Sequence, residues 1–270
     1  MADIAFSFDS KTKRYRPANA YWLGRFAKLA YGNANAIRTA VAAWGFDRFR
    51  FFDRDDTQAF AAGSADCVIV AFRGTEPKEL RDWLTDADCR LVDGPFGKVH
   101  DGFYRALREV WDEIAATIAQ FQDRAQSLWL TGHSLGAALA ALAAAELRDK
   151  PDKPVYGLYT FGQPRTGDRV FKRTFDRDFE SQCFRFVNNN DLVTRVPTRA
   201  MGYSHVGTFL YFDEDGDLKD DPGFWFRFLD GIKGSIEDLG KPGLDGINDH
   251  SMDCYLANLE KNLSVNPLER

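Results

Sequence analysis

Gly132-His133-Ser134-Leu135-Gly136 follows the pattern G-x-S-x-G. Glycines two places on either side of a serine suit a nucleophile raised on a very sharp strand-to-helix turn. A side chain at those positions would crowd the turn, and glycine has none. The pattern alone is common, so its setting carries the reading. The apolar run 127–131 precedes it, and alanines at 137, 138, 140, 141, 143, 144 and 145 follow. A buried strand feeding a small-residue helix would hold a serine hydroxyl clear of a sheet. The helix N-terminus would favour negative charge beside it.

A serine hydroxyl is a weak nucleophile at neutral pH and needs a base, which in turn needs an orienting partner. The histidines are His100, His133, His205 and His250. The order serine, acid, histidine used by α/β-hydrolases leaves His205 and His250 as bases. His205 opens the strand-like segment 205–212. His250 lies in the polar loop 246–252, which could carry a ring over a sheet edge, and is the preferred base. For the acid, Asp191 ends a polar run that follows a strand-like segment starting at Phe184. Asp168 lies in a rigid loop rich in glycine and proline, better suited to bracing local backbone. Asp249 adjoins His250, where side chains rarely meet in the required geometry. Ser134, Asp191 and His250 are the preferred set, with His205 and Asp168 as alternatives.

The rest of the chain must position these groups. Segment 67–72 is short, apolar and β-branched, as expected of a strand buried on both faces. Helices are expected at 21–31 and 35–44, and strands at 49–52, 57–62, 155–161, 183–187 and 205–212. A long helix should start at Asp101, with Phe103, Leu107, Val110, Trp111, Ile114 and Ile118 on one face. Strands alternating with helices predict an α/β fold with a mostly parallel sheet, and sites beyond the carboxyl ends of its strands. With no repeat or linker in view, 1–270 reads as one domain.

Hydrophobic residues make up 44% of the 270, which excludes global disorder. A net charge of −5 gives no pull toward nucleic acid. No apolar run is long enough for a transmembrane segment. Asp3 and Asp9 interrupt the first residues, where no secretory signal is visible. Cys67, Cys89, Cys183 and Cys254 form no CxxC, which suggests thiols in a reducing compartment. The expected location is cytoplasmic, or outside the cell by a signal-independent route. The acidic run 213–217 lacks the spacing of a calcium loop and predicts a hairpin turn, so no metal site is expected.

Five segments together resemble a known family. They are 70–75 (VAFRGT), 99–103 (VHDGF), 130–136 (LTGHSLG), 160–168 (TFGQPRTGD) and 186–193 (FVNNNDLV) running to Pro197. Their order and content are similar to the class 3 lipases, the fungal lipase-like α/β-hydrolases, over most of 65–210. The resemblance implies an α/β-hydrolase fold with a lid helix, Ser134 as nucleophile, Asp191 as acid and a late histidine matching His250. Oxyanion donors would be the N–H of Leu135, which follows the nucleophile, and that of Thr75, by its family counterpart. The candidate lid is 76–92, where Leu80, Trp83, Leu84 and Ala87 share a helical face. A fixed surface helix is the alternative. Trp83, Leu84, His100, Phe224 and Trp225 are candidate substrate contacts, although a packed histidine and ordinary core aromatics would explain the last three.

The implied function is hydrolysis of acylglycerols or related lipid esters through an acyl-enzyme. The implied partners are an ester substrate and a transient lipid interface, and no cofactor is needed. An esterase or phospholipase of other acyl specificity is one alternative. An inactive lipid-binding protein is another.

Overall fold

The computed structural model describes residues 4–75, 89–148, 154–220 and 248–269. Their helices are α1 (Pro17–Leu29), α2 (Ala34–Ala43), α3 (Asp101–Phe121), α4 (Leu135–Leu147), α5 (Arg169–Phe179) and α6 (Met252–Lys261). The strands are β1 (Arg48–Arg54), β2 (Thr57–Gly63), β3 (Cys67–Phe72), β4 (Leu91–Asp93), β5 (Lys98–His100), β6 (Ser127–His133), β7 (Val155–Phe161), β8 (Cys183–Asn188), β9 (Thr208–Phe212) and β10 (Leu218–Lys219).

Eight strands form one sheet in the order β1-β2-β3-β6-β7-β8-β9-β10. From β3 to β9 the neighbours are parallel, and antiparallel strands finish both sides. Parallel strands need crossovers, and these place helices on both faces. One face packs α3, α4 and α5 into a core containing Val68, Val70, Leu128, Leu130, Leu107 and Phe175. The other packs α1, α2 and α6 against Ile69, Trp129, Phe161 and Phe186. β3 and β6 are buried along their whole length, which is why they read as unbroken apolar runs rather than alternating ones.

Differences from the expected elements have local causes. Helix α5 was not foreseen, although Phe171, Phe175 and Phe179 recur every fourth residue and are all buried. Strand β9 starts at Thr208 rather than at residue 205, because Gly207 adopts φ +79° just before it. The 213–217 run does turn β9 into β10, with Asp213 accepting from the Gly216 N–H and Gly216 at φ +78°. Of the candidate lid segment 76–92, residues 76–88 lie outside the described residues. Its end is not helical, since Leu91–Asp93 pairs with Lys98–His100. Among the described residues no helix is long and apolar enough to cross a membrane.

Candidate active site

Strand β6 runs straight into α4, and Ser134 at the junction takes φ 58°, ψ −129°. A non-glycine residue at positive φ is strained, and such strain persists only where the surroundings enforce it. Here they do. A Cβ on Gly132 would lie 2.2 Å from the Gly136 carbonyl oxygen, and one on Gly136 would lie 2.2 Å from that of Phe72. The Ser134 N–H donates to the Phe161 carbonyl oxygen on β7 (3.0 Å). The alanine-rich helix is buried all round, so α4 packs against the sheet on one side and α3 on the other.

Asp191 follows β8 and is fully buried. Three donors converge on its carboxylate. The Val193 N–H reaches Oδ1 (3.0 Å), and the Tyr255 hydroxyl reaches Oδ2 (2.6 Å). His250 Nδ1 spans both oxygens, at 3.0 and 2.9 Å. Because a carboxylate only accepts, His250 Nδ1 carries the proton in this pair. Burial and the Asp191 charge hold the Tyr255 hydroxyl well above the usual phenol range, so it remains a donor.

His250 sits in the loop ahead of α6, as expected, and a second histidine fixes it there. The His133 ring packs on the His250 ring with centroids 4.4 Å apart. His133 Nε2–H donates to the His250 carbonyl oxygen (2.7 Å), and Nδ1 accepts from the Tyr31 hydroxyl (2.7 Å). Burial, reinforced by the neighbouring His250 ring, pushes the His133 pKa well below its usual value. A neutral ring with Nε2 protonated fits both contacts.

Beneath the pair lies Gly162 at φ +59°. A Cβ there would stand 2.7 Å from His250 Cε1 and 2.9 Å from Asp191 Oδ2. Ser134 Oγ and His250 Nε2 are both buried without a hydrogen-bond partner, and no hydrogen bond joins them. The arrangement holds an imidazole against a carboxylate, with a serine at positive φ at the end of β6. Catalytic hydrogen bonds in unliganded sites are often long and tighten only around substrate.

Leu135 adjoins Ser134, and Thr75 follows Gly74, which packs against the same turn. Leu135 opens α4, so its N–H has no acceptor within the helix. Gly74 lies so close to the elbow that a Cβ would be 2.5 Å from the His133 carbonyl oxygen and 3.0 Å from Ser134 Cβ. That close approach sets Gly74, the residue before Thr75, against the elbow.

The alternative residues have other work. His205 Nε2 lies 2.8 Å from the Thr194 carbonyl oxygen, and burial with Arg185 and Arg165 nearby lowers its pKa well below the usual value. Asp168 caps α5 by accepting from the Phe171 N–H (2.7 Å). His100 caps α3 through Nδ1 and stacks on Phe103 at 4.0 Å between centroids, beside Tyr203. Trp83, Leu84, Phe224 and Trp225 lie outside the described residues. Sequence reasoning missed Tyr31, His133, Gly162 and Tyr255 as supports of the site. The signal for Gly162 was its place in the Thr160-Phe161-Gly162-Gln163-Pro164 turn, but nothing local marked Tyr31 or Tyr255.

A parallel sheet with helices on both faces, a serine elbow after a central strand and a histidine–carboxylate pair beyond later strands define the α/β-hydrolase fold. Residues 69–201 match the model of the family described as lipase (class 3). The chain is 36% identical over 149 residues to a secreted mono- and diacylglycerol lipase of Malassezia restricta, covering 51% of this chain and 49% of that protein. It is 32% identical over 184 residues to secreted mono- and diacylglycerol lipase A of Penicillium camembertii, covering 65% and 58%. Among solved structures, it superposes with TM-score 0.58 and 26% identity on a triacylglycerol lipase described as having a serine-protease triad as its catalytic centre. That match covers 71% of this chain and 78% of the other. The chain spans about half the length of the first curated relatives it matches.

These relatives overturn the expected cytoplasmic location, since several are named as secreted proteins. The signal-independent route has no support either. Physically, the error lay in using scattered cysteines as a compartment marker. Two of them, Cys67 and Cys183, are buried side chains packed in the two cores, a role that any redox setting allows.

Proposed function

We propose that this protein is a serine carboxylic-ester hydrolase acting on lipid esters, with acylglycerols as the principal substrate class. The observation that carries the reading is the buried Asp191–His250 pair, held by Tyr255 and His133 beside the strained Ser134 elbow. The class 3 lipase relatives, named for mono-, di- and triacylglycerol lipase activity, support the substrate class.

In this mechanism Ser134 Oγ attacks the ester carbonyl carbon while His250 Nε2 takes its proton. The negative charge that develops on the carbonyl oxygen is met by the N–H groups of Thr75 and Leu135. Such donors contribute about 3 kcal/mol each to transition-state stabilisation. Collapse of the tetrahedral intermediate breaks the ester C–O bond, and His250 returns the proton to the departing alcohol. Water then attacks the acyl-enzyme by the same route and releases the carboxylic acid. Asp191 orients the imidazole and offsets its charge when protonated. Tyr255 and the Val193 N–H hold Asp191 in turn, and His133 holds the backbone of His250.

The test is hydrolysis by the purified protein across esters graded in acyl length and head group: p-nitrophenyl esters, mono-, di- and triacylglycerols, and phosphatidylcholine. Turnover of acylglycerols above the other head groups is expected. Preference for phosphatidylcholine or for short p-nitrophenyl esters would reassign the substrate class. No turnover of any carboxylic ester would reject the hydrolase reading.

In Gly162→Ala, the methyl group must displace the His250 ring or the Asp191 carboxylate while the backbone stays at φ +59°. Displacement of a catalytic group by about 1 Å can cost about 100-fold in rate. A fall in kcat of at least about tenfold is expected, with KM changed little. A kcat equal to wild type would mean that the pair tolerates a shift that the geometry forbids.

A further inference from the structure

A cavity with charged side chains in its lining opens beside α5. Its volume is about 600 Å³, and none of Ser134, Asp191 or His250 lines it. Its charged lining is predominantly basic: Arg169, Lys172, Arg185 and Arg199 against Glu180 and Asp220. His205 also lines it, but its lowered pKa keeps it neutral.

Arg185 is the informative member. It projects from β8, is only 4% exposed, and its guanidinium lies over the ring of Phe209 on the neighbouring strand, 4.9 Å from the centroid. Its Nε and Nη1 are buried with no hydrogen-bond partner. The acid that faces it from α5 is Asp176. One carboxylate oxygen of Asp176 accepts from the Gly207 N–H (2.8 Å), and the other is paired with Lys172. Burial lowers the Arg185 pKa to about 10, which still leaves the group charged at neutral pH.

A buried guanidinium without a hydrogen-bonded counter-charge is costly to keep out of water. Stacking on Phe209 attracts the cation but satisfies none of its N–H groups. The planar N–H fork of arginine matches the two oxygens of a carboxylate or phosphate. We propose that this cavity is an oxyanion-binding site, in which Arg185 takes a carboxylate or phosphate group and Arg169, Lys172 and Arg199 supply the surrounding positive field. The proposal stands independently of the ester-hydrolase reading.

Calorimetric titration of the whole protein with inorganic phosphate and, separately, sodium octanoate, at constant ionic strength set by chloride, tests it. At least one anion should bind with a dissociation constant of about 1 mM or tighter, a typical weak-ligand affinity. Arg185→Met keeps the apolar stem but removes the guanidinium, and it should weaken that binding at least about tenfold. Binding of phosphate alone assigns the site to phosphoryl groups, and binding of octanoate alone assigns it to carboxylates. Both results support the proposal. If Arg185→Met does not fold, the double variant Arg169→Gln/Arg199→Gln at the rim should weaken binding at least about threefold. Absence of heat with both anions overturns the proposal, as does binding that the variants leave unchanged.

Discussion

Ser134→Ala should lower kcat on any ester substrate by at least about 10⁴-fold, the scale seen when a nucleophile is removed from a working triad. The residual rate would come from the oxyanion donors and binding alone. The fold should be untouched. Ser134 Oγ is buried without a hydrogen-bond partner, so its removal strands no other group and relieves one desolvated hydroxyl. Thermal unfolding should therefore show a Tm equal to or above that of wild type, alongside the lost turnover. This combination separates chemistry from misfolding. Retention of more than about a tenth of the wild-type rate in folded Ser134→Ala would mean that another group makes the acyl bond.

Asp191→Asn should cost about 10⁴-fold in kcat, the magnitude expected when the acid that sets an imidazole tautomer loses its charge. Here the local geometry adds a stability cost. The Val193 N–H, the Tyr255 hydroxyl and His250 Nδ1–H all donate to the two carboxylate oxygens. An amide offers one oxygen and a donating NH₂, so at least one of the three donors must face another donor. A buried donor left unsatisfied costs about 1–3 kcal/mol. Kinetics and chemical denaturation of the same preparation measure the two effects. A variant that kept both rate and stability would contradict the role given to Asp191.

Much of the architecture was legible because burial writes a simple pattern. Cys67–Phe72 and Ser127–His133 are buried on both faces and are correspondingly apolar along their length. Helix α3 carries its apolar stripe at helical spacing, and the elbow glycines sit where a Cβ has no room. Elimination among four histidines left His205 and His250, and the loop position favoured His250, whose Nδ1 lies 2.9 Å from Asp191 Oδ2.

The supporting layer was not legible. Tyr31 and His133 are 102 residues apart, and Tyr255 is 64 residues from Asp191. Such contacts exist only once the sheet has assembled, and nothing near either tyrosine in sequence marks it. Helix α5 was missed for a different reason. Its three phenylalanines are isolated among Arg, Lys and Asp, so the segment looks polar unless the four-residue spacing is tracked. Arg185 reads as one polar residue in an apolar strand, and only the cavity beside it gives its charge a meaning.

The proposed chemistry needs Ser134 Oγ to become a nucleophile, and covalent labelling reads this directly. Wild-type protein treated with a fluorophosphonate should gain one phosphonyl group, localised by tandem mass spectrometry to Ser134, with parallel loss of esterase activity. His250→Ala should label far more slowly, and Ser134→Ala not at all. An unlabelled wild-type protein, or an adduct on any other residue, would contradict the assignment of Ser134 and the mechanism built on it.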